Sequence, residues 1–269
     1  MKTCNSEYKI VKTKLLDDTV RLKLSNCLDD EFKVYLSVDD YFKYKLKKNS
    51  LISKDVLDEI QENEPLVLAY RSALRRLAIR DYSSKKMADS LKQKYNLTNY
   101  QIDLVITKLK KANLLNDQIY TSSKIDLFKD SLLSKKAIYS KLIKDGIDKE
   151  IIDKYYVEQD EFDKAFKKAS KYQASIKNKS LNLKKQTIVS KLVNDGFSLE
   201  DAKLAINKLD FKDEIESEDD VLRKHVQKAY NRYHNKYEGY ELKNHIFNYL
   251  ASKGFNLDSI NKVINEMEY

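Results

Sequence analysis

Three of the four glycines in this chain, Gly146, Gly196 and Gly254, stand in the same sequence context. Each has an apolar residue eight positions before it, a leucine four positions before it, an apolar residue directly after it, and Asp, Ser or Asn two positions after it. Glycine supplies the left-handed backbone that ends many helices, and the apolar residue that follows packs back on the helix. Asp, Ser and Asn are preferred at the start of the next helix. The pattern therefore predicts a helix that stops and a new helix that begins at once, three times over.

A fourth copy of the pattern lies upstream, where Asn96 takes the place of glycine with one extra residue before it. Asn is the usual substitute for glycine in a left-handed helix stop, so Asn96 is predicted to adopt that conformation. After each turn residue, apolar positions recur at +6, +9, +10 and +13, which is one face of an α-helix. These positions are Ile102, Val105, Ile106 and Leu109; Ile152, Tyr155 and Tyr156, where the stripe ends at Gln159; Ala202, Ala205, Ile206 and Leu209; and Ile260, Val263, Ile264 and Met267.

A further helix precedes each corner, and its start is marked by an acidic residue at Asp117, Asp160 and Asp219. The unit is therefore three helices long, and Gly146 and Gly196 lie 50 residues apart. The longer last spacing is predicted to be absorbed by a loop over 212–220. Such units bury their apolar faces by stacking on their neighbours. We predict a mainly α fold of tandem three-helix repeats forming an elongated, curved solenoid, with repeats at 65–115, 116–157, 158–211 and 212–269.

Residues 1–64 are predicted to form a β-rich segment followed by a short helix. Polar residues alternate with β-branched or aromatic ones over 8–11, 19–24 and 32–38, the two-residue period of half-buried strands. Asp17-Asp18 and Asp29-Asp30 are predicted turns between these strands. Ser53 caps the short helix, and Pro65 is predicted to open a new helix that runs to Arg80.

Several classes of protein are disfavoured by what the sequence lacks. It has no run of about 18 apolar residues and no signal-peptide pattern, so a soluble cytoplasmic protein without a membrane partner is expected. Cys4, Cys27 and the three histidines do not have metal-ligand spacing, which predicts idle thiols and no metal or other cofactor. No glycine-rich phosphate loop, HExxH helix or nucleophile elbow is present, so we do not expect an enzyme.

The formal net charge of +9 suggests an anionic partner, although a lysine-rich composition alone would raise the charge. Arginine is scarce, yet four of the seven arginines lie within ten residues: Arg71, Arg75, Arg76 and Arg80. Arginine recognises carboxylate or phosphate through two parallel hydrogen bonds. The four arginines are therefore candidate contacts to a partner or to DNA. The alternative is a solvated helix face with local salt bridges.

Lysine pairs recur before the second helix of three repeats: Lys85 and Lys86, Lys135 and Lys136, Lys184 and Lys185. Cations in a first helical turn oppose the helix dipole, so the pairs need another reason for their position. A ladder of such pairs would suit a phosphate backbone or an acidic polymer. Chance is the alternative, because lysine is abundant. Tyrosines on the apolar stripes, such as Tyr155 and Tyr172, are predicted to pack in the core.

Three further segments carry a family resemblance: Ala73–Leu77 with Arg80–Ser83, Asn113–Asp117, and Lys136–Leu142 with Gly146-Ile147. Through these segments the sequence resembles the RecX family, the regulators of the RecA recombinase. The resemblance covers about residues 65–210, and the β-rich start and the fourth repeat resemble the long form of low-GC Gram-positive bacteria. The chain departs from the family pattern at Lys141, often Glu, at Ser134, often part of Gly-Pro, and at Thr121, usually Ala.

The resemblance implies a non-enzymatic, monomeric protein that binds the RecA filament in its helical groove and limits its recombinase and coprotease activities in DNA repair. It implies that the arginines and lysines named above contact RecA or single- or double-stranded DNA. Two other functions stay open. One is a helical-repeat protein that binds nucleic acid independently of RecA, and the other is a general protein-interaction scaffold.

Overall fold

The computed structural model describes residues 7–16, 18–26 and 28–266; Cys4, Asp17, Cys27 and Met267, which carry some of the expectations above, lie outside these ranges. Four antiparallel strands form one sheet in the order β3-β2-β1-β4: β1 (Glu7–Leu16), β2 (Thr19–Ser25), β3 (Glu31–Ser37) and β4 (Leu51–Ser53). The helices are α1 (Val38–Lys43), α2 (Lys54–Leu77), α3 (Ser84–Lys94), α4 (Asn99–Lys111), α5 (Asp117–Lys129), α6 (Lys135–Lys144), α7 (Lys149–Tyr155), α8 (Glu161–Ser175), α9 (Leu181–Asn194), α10 (Leu199–Lys208), α11 (Lys212–Glu216), α12 (Glu218–Tyr233), α13 (Gly239–Ser252) and α14 (Leu257–Asn265).

The chain divides into two compact units. The first comprises the described residues up to Lys124 together with Leu142–Tyr155, and the second comprises Ile125–Lys141 and the described residues from Tyr156 onward. The mainly α architecture with a small N-terminal antiparallel sheet is as predicted. In the first unit the sheet packs its apolar face on the start of α2, where Leu57 and Ile60 join Leu22, Leu24 and Val34 in one core.

The three predicted strands are confirmed, but the sheet has a fourth strand that the sequence pattern missed. Strand β4 is only three residues long and pairs with the start of β1. Val38, predicted at the end of a strand, instead begins α1, because Ser37 accepts the Asp40 N–H and caps that helix. The exposed edge of β3 is protected, since the Tyr35 N–H donates to the Glu64 carboxylate at 2.9 Å.

The two helices predicted on either side of Pro65 are one continuous helix, so this part of the prediction is wrong. Helix α2 passes through Pro65, and the predicted boundary between residues 64 and 65 lies inside it. An interior proline costs about 3 kcal/mol through its missing N–H and its clash with the preceding turn. Here the helix is held on both sides, by Leu57 in the sheet core and by Ala69 and Ala73 in the core of the first repeat. Packing on both flanks overrides the local signal.

The glycine corners are confirmed. Gly146, Gly196 and Gly254 have φ of 85°, 92° and 78°, and the Ile147 and Phe197 N–H groups bond back to Leu142 and Leu192. The predicted helix faces are buried at Ile102, Ala202 and Ile260, and at the apolar residues three and four positions after each of them. In the second repeat the stripe ends with α7 at Tyr155. Asn96 does not share the positive φ of the glycines. The prediction for Asn96 is therefore wrong.

Each glycine corner packs against the start of the second helix of the preceding repeat. The serine before that helix, Ser83, Ser134 or Ser180, is fully buried and accepts a hydrogen bond from the third N–H of its own helix. Its hydroxyl donates to the backbone carbonyl just before the glycine: Ser83 to Asp145 at 2.5 Å, Ser134 to Asp195 at 2.7 Å, and Ser180 to Lys253 at 2.7 Å. We call this contact the glycine–serine junction.

An acidic residue from the next leading helix completes the junction. Asp117, Glu161 and Glu218 accept the first N–H of the preceding second helix, from Ser84 at 2.7 Å, from Lys135 at 3.0 Å and from Leu181 at 3.0 Å. A carboxylate at a helix N-terminus is favoured by the free N–H groups and by the helix dipole. The helix dipole is therefore compensated from the neighbouring repeat, although lysines occupy its first turn.

The acidic starts predicted for the leading helices are correct at one of three places. Asp160 caps α8 as expected. Asn116 rather than Asp117 caps α5, because its side chain accepts the Gln118 and Ile119 N–H groups. Asp219 lies in the first turn of α12 and not at its cap, and the predicted loop over 212–220 contains the short helix α11. At α5 the difference arises because the Asp117 carboxylate bonds to the start of α3 instead of its own helix.

Replacing Gly196 by Ala is expected to lower the free energy of unfolding by about 3 kcal/mol, since a positive φ costs about 1–2 kcal/mol for a residue with a Cβ and overpacking adds about 1–3 kcal/mol. A methyl group there would meet Ser134 Oγ at 2.7 Å. Gly239→Ala is the control, because Gly239 also has positive φ but has nothing within 4 Å of the new methyl group. Urea unfolding measures both. Equal losses would contradict a close approach at the junction.

Replacing Ser134 by Ala removes a helix cap and the bond to the Asp195 carbonyl together. Loss of a cap costs about 1 kcal/mol, and a buried carbonyl left without its partner costs about 1–3 kcal/mol more. Ser198 caps α10 through the Asp201 N–H from an exposed position and makes no bond across a junction. We therefore expect Ser134→Ala to destabilise the protein more than Ser198→Ala in chemical denaturation. A similar loss of stability in both variants would mean that Ser134 acts only as a helix cap and that its bond to the Asp195 carbonyl adds nothing.

A tyrosine of the leading helix ties down each acidic corner residue. Tyr120 donates to Asp145 Oδ2 at 2.7 Å, and Tyr172 donates to Asp195 Oδ2. Burial, together with the hydrogen bond and the charge of Asp195, raises the pKa of Tyr172 to about 12. The pKa of Tyr120 is raised by burial and by Asp145 in the same way. The apolar stripe predicted only that Tyr172 packs in the core. Its hydroxyl also binds Asp195.

This raised pKa predicts a loss of stability in alkali. A tyrosine in the unfolded chain titrates near pH 10, so the stability contributed by Tyr172 is complete below about pH 10 and is lost as the pH rises through about 12. In Tyr172→Phe we expect the free energy of unfolding to fall less between about pH 9 and about pH 11.5 than in the wild type. Tyr100→Phe, at a residue that is 71% exposed, is the control. An unchanged pH dependence in Tyr172→Phe would contradict the assignment.

Candidate basic interface of the first unit

The four arginines lie at the end of α2 and just after it. Arg75 and Arg76 occupy the last turn of the helix, where positive charge is favoured by the dipole. The helix ends at Leu77, so Arg80 belongs to the connection to α3, and the predicted helix up to Arg80 is three residues too long. Arg75 and Arg80 are exposed, whereas Arg71 and Arg76 are half-buried.

Arg76 and Arg80 converge on the hydroxyl of Tyr82. Arg80 donates to the Tyr82 oxygen at 2.8 Å, and its guanidinium carbon lies 4.7 Å from the centre of the Tyr82 ring. Burial alone raises the pKa of the Tyr82 hydroxyl, but the hydrogen bonds and charges of Arg80 and Arg76 outweigh burial and hold the pKa below its usual value. The arrangement gathers several N–H donors around one oxygen, which is how guanidinium groups bind oxyanions.

No ion pair to any of the four arginines is found in the described part of the chain. Arg71 Nε is buried and has no hydrogen-bond partner within those same ranges. The local salt bridges of the alternative interpretation are therefore not found there, whereas a solvated helix face stays open. We refer to Arg71, Arg75, Arg76 and Arg80 as the arginine cluster; its role in partner binding stays a prediction.

The lysine pairs divide into paired and exposed members. Lys86 binds Asp145 at 2.7 Å, Lys135 binds Glu158, and Lys184, whose side chain is only 7% exposed, binds Glu214 at 2.8 Å. The other members are Lys85 and Lys136, which are exposed at junctions, and Lys185, which lies over the Phe211 ring at 4.7 Å. Lys86, Lys135 and Lys184 thus have carboxylate partners and Lys185 has an aromatic one, each within its own unit, so the exposed Lys85 and Lys136 stay the better candidates for an external contact.

The pairs do not occupy equivalent places on their helices. Lys85 and Lys86 are the second and third residues of α3, Lys135 and Lys136 are the first two of α6, and Lys184 and Lys185 are the fourth and fifth of α9. The lysine pairs therefore do not form a regular ladder in which each pair has the same place on its helix. The function of these lysines remains a prediction.

Sequence inspection missed the roles of the residues around the arginine cluster. Tyr82 is buried beneath Arg76 and Arg80, and Tyr120 binds the Asp145 carboxylate together with Lys86, which was predicted only as an external contact. Asp directly before glycine occurs at both Asp145 and Asp195, and this repeated dipeptide was the available signal. No cluster of three or more potential metal ligands occurs among the described residues. No helix in those ranges is both long and apolar enough to cross a membrane.

Fold and surface define a helical-repeat protein with a small N-terminal sheet and a cationic cluster that no carboxylate of the described ranges pairs with. Regulatory protein RecX of Streptococcus thermophilus (strain CNRZ 1066) is 30% identical over 247 residues, which is 89% of this chain and 93% of the relative. Regulatory protein RecX of Streptococcus pneumoniae (strain CGSP14) is 31% identical over 263 residues, 95% of this chain and 99% of the relative. The chain belongs to the RecX family of regulatory proteins.

Two further comparisons agree. The family model for the third three-helix domain of RecX matches residues 216–264, which contain helices α12 and α13 and all but the last residue of α14. A crystal structure of regulatory protein RecX has a TM-score of 0.55 and 18% sequence identity, and covers 75% of this chain and 100% of its own. That likeness supports the helical-repeat fold.

Proposed function

We propose that the protein binds RecA and the groove of the RecA–DNA filament and lowers the recombinase and coprotease activities of the filament. Membership of a family of regulatory proteins supports a regulatory role, and the family resemblance gives RecA as the partner. The protein would act in the cytoplasm as a monomer and without enzymatic chemistry. Inhibition is the direction that we expect.

The observation that carries the proposal is the unneutralised arginine cluster. In a chain that uses lysine for most of its positive charge, four arginines with no ion pair to any described residue are concentrated around one helix end. Arginine binds carboxylate or phosphate better than lysine does where a planar contact through two parallel hydrogen bonds is needed. Acidic side chains of RecA and phosphates of the bound DNA both offer such groups. Lys85 and Lys136, which are exposed, would add contacts that are less directional.

Two rival functions make different predictions. A helical-repeat protein that acts on nucleic acid alone would bind bare DNA, with an affinity that falls steeply with salt. A general interaction scaffold would bind neither RecA nor DNA. Pull-down with RecA, with and without single-stranded DNA and ATP, separates the three. Our proposal requires retention that is strongest when RecA, DNA and ATP are all present.

Charge reversal of Arg75, Arg76 and Arg80 to Glu tests the arginine cluster. Each exposed charge contact is worth about 0.5–1 kcal/mol, so three reversals are expected to weaken filament binding by about tenfold to a hundredfold and to relieve inhibition of strand exchange. Circular dichroism checks that the variant is folded, because Arg76 and Arg80 also hold Tyr82.

The matched control reverses three exposed cations at four-residue spacing on α12, namely Lys224, Lys228 and Arg232. This variant changes the net charge by the same amount, so it isolates position from charge. Inhibition that is unchanged in the arginine variant, or relieved equally in both variants, would remove the arginine cluster from the mechanism.

A further inference from the structure

A cavity of about 510 Å³ lies in the first unit, between the N-terminal sheet and the first repeat. One side is formed by the turn before β2 and the start of α1, and the other by the middle of α2 and the end of α4. Leu66, Val67 and Leu104 contribute apolar wall, and Leu104 is 41% exposed. The volume falls within the range of about 300–1,000 Å³ that small-molecule sites occupy.

Asp18 lines this cavity with a carboxylate oxygen that has no partner. Its Oδ1 atom is shielded from solvent and accepts no hydrogen bond within the described residues. The charge of Asp18, added to the larger effect of burial, raises the pKa of Tyr70, which lines the same cavity. A carboxylate oxygen that is shielded from solvent and has no donor is costly unless a cation or a hydrogen-bond donor reaches it.

The other charged residues of the lining are not seen to donate to Asp18 Oδ1. Besides Asp18 the lining holds Asp39, Asp40, Lys108 and Lys111, a formal sum of −1 in a chain of net charge +9. The Ser37 hydroxyl donates to Asp40 at 2.6 Å, and Lys108 Nζ lies 4.3 Å from the centre of the Tyr70 ring. A ring face stabilises a cation, so Lys108 already has a partner other than Asp18.

We propose that this cavity binds an organic cation, namely a guanidinium, amidinium or primary ammonium group on an apolar body. The cationic group would donate to Asp18, and the apolar body would lie against Leu66, Val67 and Leu104. The two lysines disfavour a ligand with several positive charges, because the lining neutralises only one. This site takes a ligand of opposite charge to the partners of the arginine cluster and does not depend on RecA binding.

The probe is p-aminobenzamidine, whose ring and amidinium match the two halves of the site and whose fluorescence rises in an apolar environment. Titration of the full chain is expected to give a saturable rise. The neutral analogue p-aminobenzamide should bind at least about tenfold more weakly, because it cannot form the charge-assisted hydrogen bond to Asp18. Equal binding of the two compounds would overturn the proposal.

Three variants locate the site. Asp18→Asn is expected to weaken binding about tenfold or more without lowering the melting temperature, since the shielded Asp18 Oδ1 has no partner among the described residues that the change could remove. Leu104→Trp fills the cavity from an exposed position and should abolish binding without changing charge. Asp58→Asn, at an exposed residue of α2 outside the cavity, is the control and should bind normally.

Competition then distinguishes two sources of the cation. Ethylguanidinium displaces the probe if a free small molecule fits, and a capped Ala-Arg-Ala peptide displaces it only if the mouth admits a side chain carried by a protein. Displacement by either supports the site. Absence of binding, or binding that is unchanged in Asp18→Asn and Leu104→Trp, overturns it; the first result is also expected if Lys108 leaves the Tyr70 ring and neutralises Asp18. Filament inhibition is a separate measurement, so either proposal can fail alone.

Discussion

The close approach of a glycine corner to the start of a helix one repeat earlier is the constraint on which the rest of the structure depends. The buried serine there must accept an N–H from its own helix and donate to a carbonyl of the next repeat, as Ser134 does. Asp caps a helix equally well but, when ionised, cannot donate. Caps that face solvent are accordingly varied (Thr98, Asp160, Ser198 and Asn256), whereas the three junction caps are all serine.

The junction at Asp145 also holds in place part of the arginine cluster. The Asp145 carbonyl accepts a hydrogen bond from Ser83, and its carboxylate accepts one from Tyr120 and pairs with Lys86. These contacts hold the corner to the start of α3. Tyr82 lies one residue before Ser83 and is buried, and Arg80 bonds to it. The Arg80 guanidinium thus stands on a segment that is fixed by the junction, whereas Arg75 and Arg76 lie on α2. This explains how the exposed connection between α2 and α3 can hold Arg80 in place, although no ion pair to Arg80 is found in the described ranges.

Sequence reasoning succeeded where a local rule acts and failed where the partner is distant. The glycines and the buried face at Ile102 were predictable, because positive φ and helical period each leave a local pattern. The continuity of α2 through Pro65 was not, since it depends on cores on both sides. Nor was the role of Asp117, which bonds to Ser84 33 residues away. The arginine cluster was noticed from composition, and its role as a contact site stays a prediction. Which lysines have internal partners depends on carboxylates such as Glu214 that no local spacing indicates.

The cavity and the arginine cluster both border helix α2, and their separation along it decides whether they can act together. Tyr70 lines the cavity and Arg75 and Arg76 lie in the last turn, five and six residues further along. At a rise of 1.5 Å per residue this is about 8–9 Å along the axis, close to the Debye length of about 8 Å at physiological salt. A cation in the cavity and an anionic partner at the arginine cluster would therefore interact only weakly through solvent. Since the two sites select ligands of opposite sign, they would not compete for the same ligand, and both could be filled in one molecule.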